Sequence, residues 1–351
     1  MGLGSSRGAA PVMSAANDGP AYIDSLIAVG PQDRSVVPFT LRHLMRFVPR
    51  LHTIFMVTSD DLQARGIVNF ANRNFGGSNA LPHVELHDEQ RFVVTPARLK
   101  EHLLAVHSWN GTLRSRFGGW TDRSGWYLQQ FLKLYAAISI PTIRDYLVVD
   151  ADVVFYHPYD VVAGAHAYWY MPNVLGACSQ TQWAYTHTLE RFIGDDVRLS
   201  RLQPRQGPCA ISHHMVFKKD VLTSLHFDFD RLAHRDPSAH GEWWRALLNQ
   251  ISTSVEASFS EYMTYMAYAQ AFYPHTVRWR TQTQFTRSGA VFKDCLEHAA
   301  QTNSTAFCMR PIEKTPSARN FTFVAYHRAS RSFTLGLSPR VGSTLLAHTS
   351  D

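Results

Sequence analysis

Residues Tyr146-Leu147-Val148-Val149 form a short apolar run that ends on Asp150-Ala151-Asp152 and resumes as Val153-Val154-Phe155. A run this short and β-branched reads as a strand covered on both faces, which calls for helices packed against a parallel sheet. Two residues apart on a strand, Asp150 and Asp152 are expected on the same side, roughly 6.5 to 7 Å apart at their Cα atoms. Carboxylates at the end of a buried strand are costly unless something pairs with them. A divalent metal carrying a diphosphate fits that position, and hard oxygen ligands suit Mn²⁺ or Mg²⁺. A bare Asp-x-Asp is a weak signal, expected about once by chance in a chain of this size. The chain carries its own control: Asp228-Phe229-Asp230 follows His226-Phe227, with no buried run before it, and reads as a solvated turn or helix start.

Upstream, Tyr22 to Val29 reads as a strand ending in the turn Gly30-Pro31-Gln32-Asp33, Val36 to Phe47 as a helix, and Leu51 to Thr58 as a second strand. Strand, turn, helix, strand is the opening of a parallel sheet with crossover helices. Ligands on such sheets bind beyond the carboxyl ends of strands, so Gly30 to Asp33 and Asp150 to Asp152 are expected along one rim. Asn69 to Asn79 is rich in Asn and Gly and reads as a loop; Val84 to Glu89 reads as a third strand and its turn. The segment with Arg114, Arg116, Gly118, Gly119 and Arg123 reads as a mobile basic loop, suited to closing over a diphosphate.

Gly125 to Ile138 has helical periodicity. Tyr127, Phe131, Leu134 and Ile138 make one stripe, and Trp126, Gln130, Lys133 and Ala137 another face where polar groups meet a ligand. Cys209 to Phe217 and Phe321 to Tyr326 are further strands, and Glu242 to Ile251 and Ser258 to Ala271 further helices. Residues 1–20 read as a disordered tail, 21–335 as one domain with halves at 21–160 and 161–335, and 336–351 as peripheral.

Composition narrows the class. The chain has 351 residues, no apolar run long enough to span a membrane, and a net charge of +6 without a Lys/Arg cluster, so nucleic acid is not the expected partner. Cys178, Cys209, Cys295 and Cys308 have no metal-site spacing; pairing of Cys295 with Cys308 and four free thiols both stay open. No signal peptide is seen. Three sequons at Asn110, Asn303 and Asn320 point to the secretory pathway, whereas Met1-Gly2-Leu3-Gly4-Ser5-Ser6 fits N-myristoylation and a cytosolic face, so the compartment stays open.

Taken in order, several segments resemble a GT-A-fold glycosyltransferase, and in particular a glycosyltransferase-like family catalogued as a domain of unknown function. They are Val29 to Asp33, Gly125-Trp126-Tyr127 with Gln129, Gln130 and Lys133, Leu147 to Asp152, Ser212 to Met215, and Phe259 to Tyr262. The resemblance implies an α/β fold with a mostly parallel, Rossmann-like sheet and a nucleotide-sugar donor bound through Gly30, Asp33, Trp126, Gln130, Lys133 and Asp150. It also implies a metal on Asp150 and Asp152, completed by a late histidine such as His327, and an acceptor in the carboxyl-terminal half. The acceptor (a glycan, a protein or a small molecule) is not specified.

Neighbours on a strand face opposite ways, so at most one of His213 and His214 faces the cleft, on the acceptor side or beside the metal. Glu261 carries two readings: the general base that takes the acceptor hydroxyl proton, or the last residue of a Ser258-x-x-Glu261 capping box. The alternatives to a glycosyltransferase are a nucleotidyltransferase of similar fold and a non-catalytic sugar- or nucleotide-binding protein. The first is expected to carry an early Gly-rich basic loop, which Gly30-Pro31-Gln32-Asp33 is not; the second to lack the carboxylates.

Overall fold

The computed structural model describes residues 22–76, 82–107, 112–114, 120–122, 124–155, 157–164, 167–170, 213–251, 258–280, 285–287 and 323–325, with 185, 188, 189 and 191 singly. In chain order the strands are β1 (Ile23–Ala28), β2 (Leu51–Thr58), β3 (His83–Asp88), β4 (Thr112–Arg114), β5 (Trp120–Asp122), β6 (Tyr146–Val149), β7 (Val153–Phe155), β8 (Tyr168–Tyr170), β9 (His214–Phe217), β10 (Val277–Trp279), β11 (Phe285–Arg287) and β12 (Phe323–Ala325). The helices are α1 (Val37–Phe47), α2 (Leu62–Asn74), α3 (Pro96–His107), α4 (Ser124–Ser139), α5 (Lys219–Ala233), α6 (Trp243–Gln250) and α7 (Glu261–Phe272).

The fold is the expected α/β one, with a mostly parallel central sheet. Its centre is a five-stranded sheet in the order β3-β2-β1-β6-β9. β1 runs parallel to both β2 and β6, and β2 parallel to β3, while β9 is antiparallel to β6. Every residue of β1 and β6 is buried, as expected of strands covered on both faces; the run is unbroken and apolar in β6 and interrupted by Asp24 and Ser25 in β1. Asp24 is tolerated inside β1 because Arg144 N donates to it at 2.8 Å and Thr53 N at 3.3 Å.

The antiparallel strand decides what reaches the rim. In the β6/β9 register Val149 lies opposite His214 and Tyr146 opposite Phe217, so β9 starts where β6 stops. Helix α4 is fixed to β6 by Tyr146, whose hydroxyl donates to the Lys133 carbonyl at 2.7 Å. Helix α7 is fixed to β9 by Tyr265, which stacks on Phe217 with ring centroids 4.4 Å apart and accepts from Lys218 N at 2.9 Å. No helix among the described residues is long and apolar enough to cross a membrane.

Two expectations are corrected. Asn69 to Asn74 belong to α2, not to a loop; Asp61 caps that helix by accepting from Ala64 N at 2.9 Å. Asp228 and Asp230 lie in the second half of α5, not at a turn or helix start. Asp230 is exposed, but Asp228 is fully buried and accepts from the Tyr268 hydroxyl at 2.7 Å. The basic segment is bracketed by the antiparallel pair β4 and β5; residues 115–119 and 123 lie outside the described residues.

Candidate active site

Strand β6 delivers Asp150 to the rim, and the chain turns there at once. Val153 N donates to the Asp150 carbonyl at 3.1 Å, and Thr40 of α1 donates to the Ala151 carbonyl at 2.7 Å. Asp150 and Asp152 therefore belong to a turn between β6 and β7, not to one extended strand as the alternation suggested.

Asp150 is the hub. Its Oδ1 accepts from Lys133 Nζ at 2.5 Å and from the Tyr262 hydroxyl at 2.8 Å, and its Oδ2 accepts from His213 Nδ1 at 2.8 Å. Lys133, midway along α4 and 3% exposed, also donates to Glu261 Oε1 at 2.7 Å and lies 4.9 Å from the centre of the Tyr262 ring. Gln130, one turn earlier on the same face, is buried; with its amide nitrogen turned inward it donates to Glu261 Oε1 at 3.2 Å and also to Oε2. Lys133, Gln130, Glu261 and His213, all buried, thus form one hydrogen-bonded cluster with the partly exposed Asp150.

The charges explain one another. Burial alone would lower the pKa of the Lys133 ammonium, but the Asp150 and Glu261 carboxylates raise it above the usual lysine range. Burial disfavours ionised Asp150, yet Lys133 and His213 hold it far below the ordinary carboxyl range. At Glu261 burial wins: its carboxyl is pushed up, and Lys133 pulls it only part of the way back. Asp152 is pushed well above the usual value, first by burial and then by the charges of Asp150 and Asp33.

That charge pattern bears on the expected metal. Among the described residues no cluster of three or more His, Cys, Asp or Glu side chains is arranged to enclose a metal ion. The donor chemistry still fits a hard divalent cation that keeps water and phosphate oxygens as its other ligands. The Asp150 oxygens are already engaged by the chain, whereas the surroundings of Asp152 disfavour its ionised form. His327 lies outside the described residues.

The remaining site residues separate. Gly30 and Asp33 lie in the turn after β1, the strand beside β6, and the Asp33 charge is felt at Asp152. Trp126 is half-buried and stacks on Tyr185, with centroids 6.2 Å apart and planes within 17°. His214 packs against Phe155 and Tyr159, at 5.5 and 5.0 Å between ring centres, while His213 meets Asp150, so the two neighbours face different surroundings. His213 has φ of 60°, a left-handed conformation that costs a non-glycine residue about 1–3 kcal/mol.

The capping-box reading of Glu261 is overturned. Helix α7 is capped by Ser260, which accepts from Met263 N at 3.4 Å, so Glu261 is the first helical residue and its side chain is turned to Lys133. Ser258 instead meets the Tyr127 hydroxyl at 3.0 Å. Sequence reasoning missed Tyr262 as a site residue; its place beside Glu261 at a helix start was the available signal.

A sequence-family model described as "Family of unknown function (DUF6492)" matches residues 81–287. No curated protein matches the chain in sequence. Solved structures similar to it include the galactosyltransferase LgtC in complex with donor and acceptor sugar analogues, at 8% identity over 94% of this chain and 97% of that one, with a TM-score of 0.43. The mannosyltransferase Ktr4p from S. cerevisiae is 8% identical over 74% of this chain and 68% of that one, with a TM-score of 0.45. Mouse xyloside xylosyltransferase 1 is 13% identical over 82% and 93%, with a TM-score of 0.36.

Proposed function

The chain belongs to the family of unknown function DUF6492, and we propose that it is a metal-dependent glycosyltransferase that moves a sugar from a nucleotide-sugar donor to an acceptor. The observation that carries this reading is the acid-rich turn after β6, where Lys133 donates to Asp150 while the ionised form of Asp152, two residues on, is left without a cation to balance it. Asp152, beside Asp150, would hold Mn²⁺ or Mg²⁺. Such an ion supplies Lewis-acid stabilisation of the diphosphate that leaves when the glycosidic bond breaks.

The protein groups divide the rest of the work. Gly30 and Asp33, on the neighbouring turn, are the donor-side residues. Gln130 and Lys133 do not reach outward to the donor in this reading. They are committed to Glu261 and Asp150, and they keep the acid turn in one conformation. A general base must lie within hydrogen-bond reach of the acceptor hydroxyl. Glu261 is 1% exposed and bound to Lys133, so its task here is to hold that ammonium in place.

A thermal-shift panel of nucleotide sugars and nucleoside triphosphates, with and without Mn²⁺, tests the proposal. A nucleotide sugar at about one hundred times its Kd adds about 2.7 kcal/mol of stability, and this should appear only with the metal. Asp152→Asn should fold and lose that gain. Unchanged calorimetric affinity for a nucleoside diphosphate with Mn²⁺ in this variant rules the metal role out. Stabilisation by triphosphates alone would move the assignment to nucleotidyl transfer.

A further inference from the structure

We propose that His213 is a positioning residue that locks Asp150 at two points, so that the turn carrying Asp152 has a single conformation. The assignment rests on the metal-dependent reading above. The His213 carbonyl accepts from Asp150 N at 3.0 Å, and its ring Nδ1 donates to Asp150 Oδ2 at 2.8 Å. One residue thus closes on both the backbone and the side chain of another, and it does so with φ of 60°. Non-glycine residues adopt that region rarely, and they keep it where the surroundings over-determine it, often at functional sites.

A histidine that served only to fill space would need no such backbone. Its neighbour His214 does fill space, in the extended conformation of β9, between Phe155 and Tyr159. His213 completes the hold on Asp150. With Lys133 and Tyr262 on Oδ1 and His213 on Oδ2, the carboxylate is fixed from both sides. The turn closed by Val153 N on the Asp150 carbonyl is then fixed as well, and Asp152 is presented to a cation without further ordering.

Substitutions that respect the backbone test this. Glycine adopts the left-handed region without steric cost, so His213→Gly keeps the carbonyl contact and removes only the ring. Asparagine tolerates the same region and its side-chain amide can donate to Asp150. The readout is calorimetric affinity for uridine or guanosine diphosphate with Mn²⁺, alongside the melting temperature. In His213→Gly the lost bond to Asp150 and the relieved left-handed strain oppose each other, so it should melt within a few degrees of wild type and bind at least about tenfold more weakly, and His213→Asn should recover to within about threefold of wild type.

Wild-type affinity in the glycine variant, or an asparagine variant no better than glycine, overturns the assignment. Should the glycine variant not fold, His213→Asn against His213→Asp answers the same question, since only the amide can donate; equal affinities there overturn it. A wild-type chain that binds neither diphosphate with Mn²⁺ overturns the metal-dependent reading itself, and this assignment with it.

Discussion

Strand β6 has an aspartate at each end, Asp145 before Tyr146 and Asp150 after Val149, and each is held by a lysine, a tyrosine and a third donor. Asp145 accepts from the Tyr168 hydroxyl at 2.7 Å, Lys218 Nζ at 3.2 Å and Lys219 N at 2.9 Å. Asp150 accepts from Tyr262, Lys133 and His213. The two ends differ in balance. At the first, Asp145 and Asp220 face Lys218 and Lys219; at the second, Lys133 faces Asp150, Glu261 and Asp152.

The balanced end also borders an open depression of about 730 Å³, lined by Asp145, Lys218, Lys219, Thr223, Ser224 and Phe227. Its lysines are spent on the chain itself, Lys219 Nζ on the carbonyls of Pro141 and Ile143. An open hollow with its charges matched is a surface feature. At the other end the carboxyls outnumber the lysine, and the proposed cation would make up the difference.

The contrast breaks most readily at the lysines. Lys133→Met leaves buried Glu261 and partly exposed Asp150 without their cation and should cost about 3 kcal/mol in urea unfolding. Lys218→Met leaves Asp145 with Tyr168 and the Lys219 amide, and should cost about 1–2 kcal/mol. Equal losses would erase the distinction between the ends.

The pH dependence sharpens it next. The Asp152 carboxyl is held well above its usual value of 3.8 in the folded chain, so the folded chain keeps a proton that the unfolded chain releases. Wild-type stability relative to Asp152→Asn is therefore highest below about pH 4 and falls as pH rises through the folded-state pKa. Saturating Mn²⁺ should flatten that fall by stabilising the ionised form. A difference profile that is flat without metal would count against an Asp152 carboxyl held above its usual range.

The smallest effect compares the two tyrosines. Tyr262→Phe and Tyr168→Phe each remove one hydroxyl bonded to a carboxylate, and each should cost about 1.5 kcal/mol. Only Tyr262→Phe should also weaken binding of a nucleoside diphosphate with Mn²⁺, by several-fold. Equal binding in both variants would detach the Asp150 end from ligand recognition.

Strands β2 and β6 were legible because each is a short, largely apolar run next to turn residues, and α4 because its stripe repeats at helical spacing. Helix α2 was hidden: Asn69, Asn72 and Asn74 look like loop residues, yet Asn72 bonds Val84 N and O of β3 and so serves the packing. Asp228 was misread for a similar reason, since its partner Tyr268 lies forty residues away on another helix. At the site, the residue types were visible and their pairings were not. Nothing local to Lys133 says that its ammonium ends between Asp150 and Glu261, because tertiary contacts override the polar-outward expectation for an amphipathic helix.

Because β9 runs against β6, the groups that close on Asp150 come from far along the chain. His213 is 63 residues from Asp150 and Tyr262 is 112, and Glu261 is 128 from Lys133. Closures of that span carry the larger loop entropies and form late relative to local structure. During synthesis β6 and its acid turn emerge more than a hundred residues before α7 supplies Tyr262. A nascent chain at that stage has the aspartates without the hold that fixes them. On the proposed reading, nucleotide binding would then report completed folding, because the hold on Asp150 forms only when α7 has met the turn after β6.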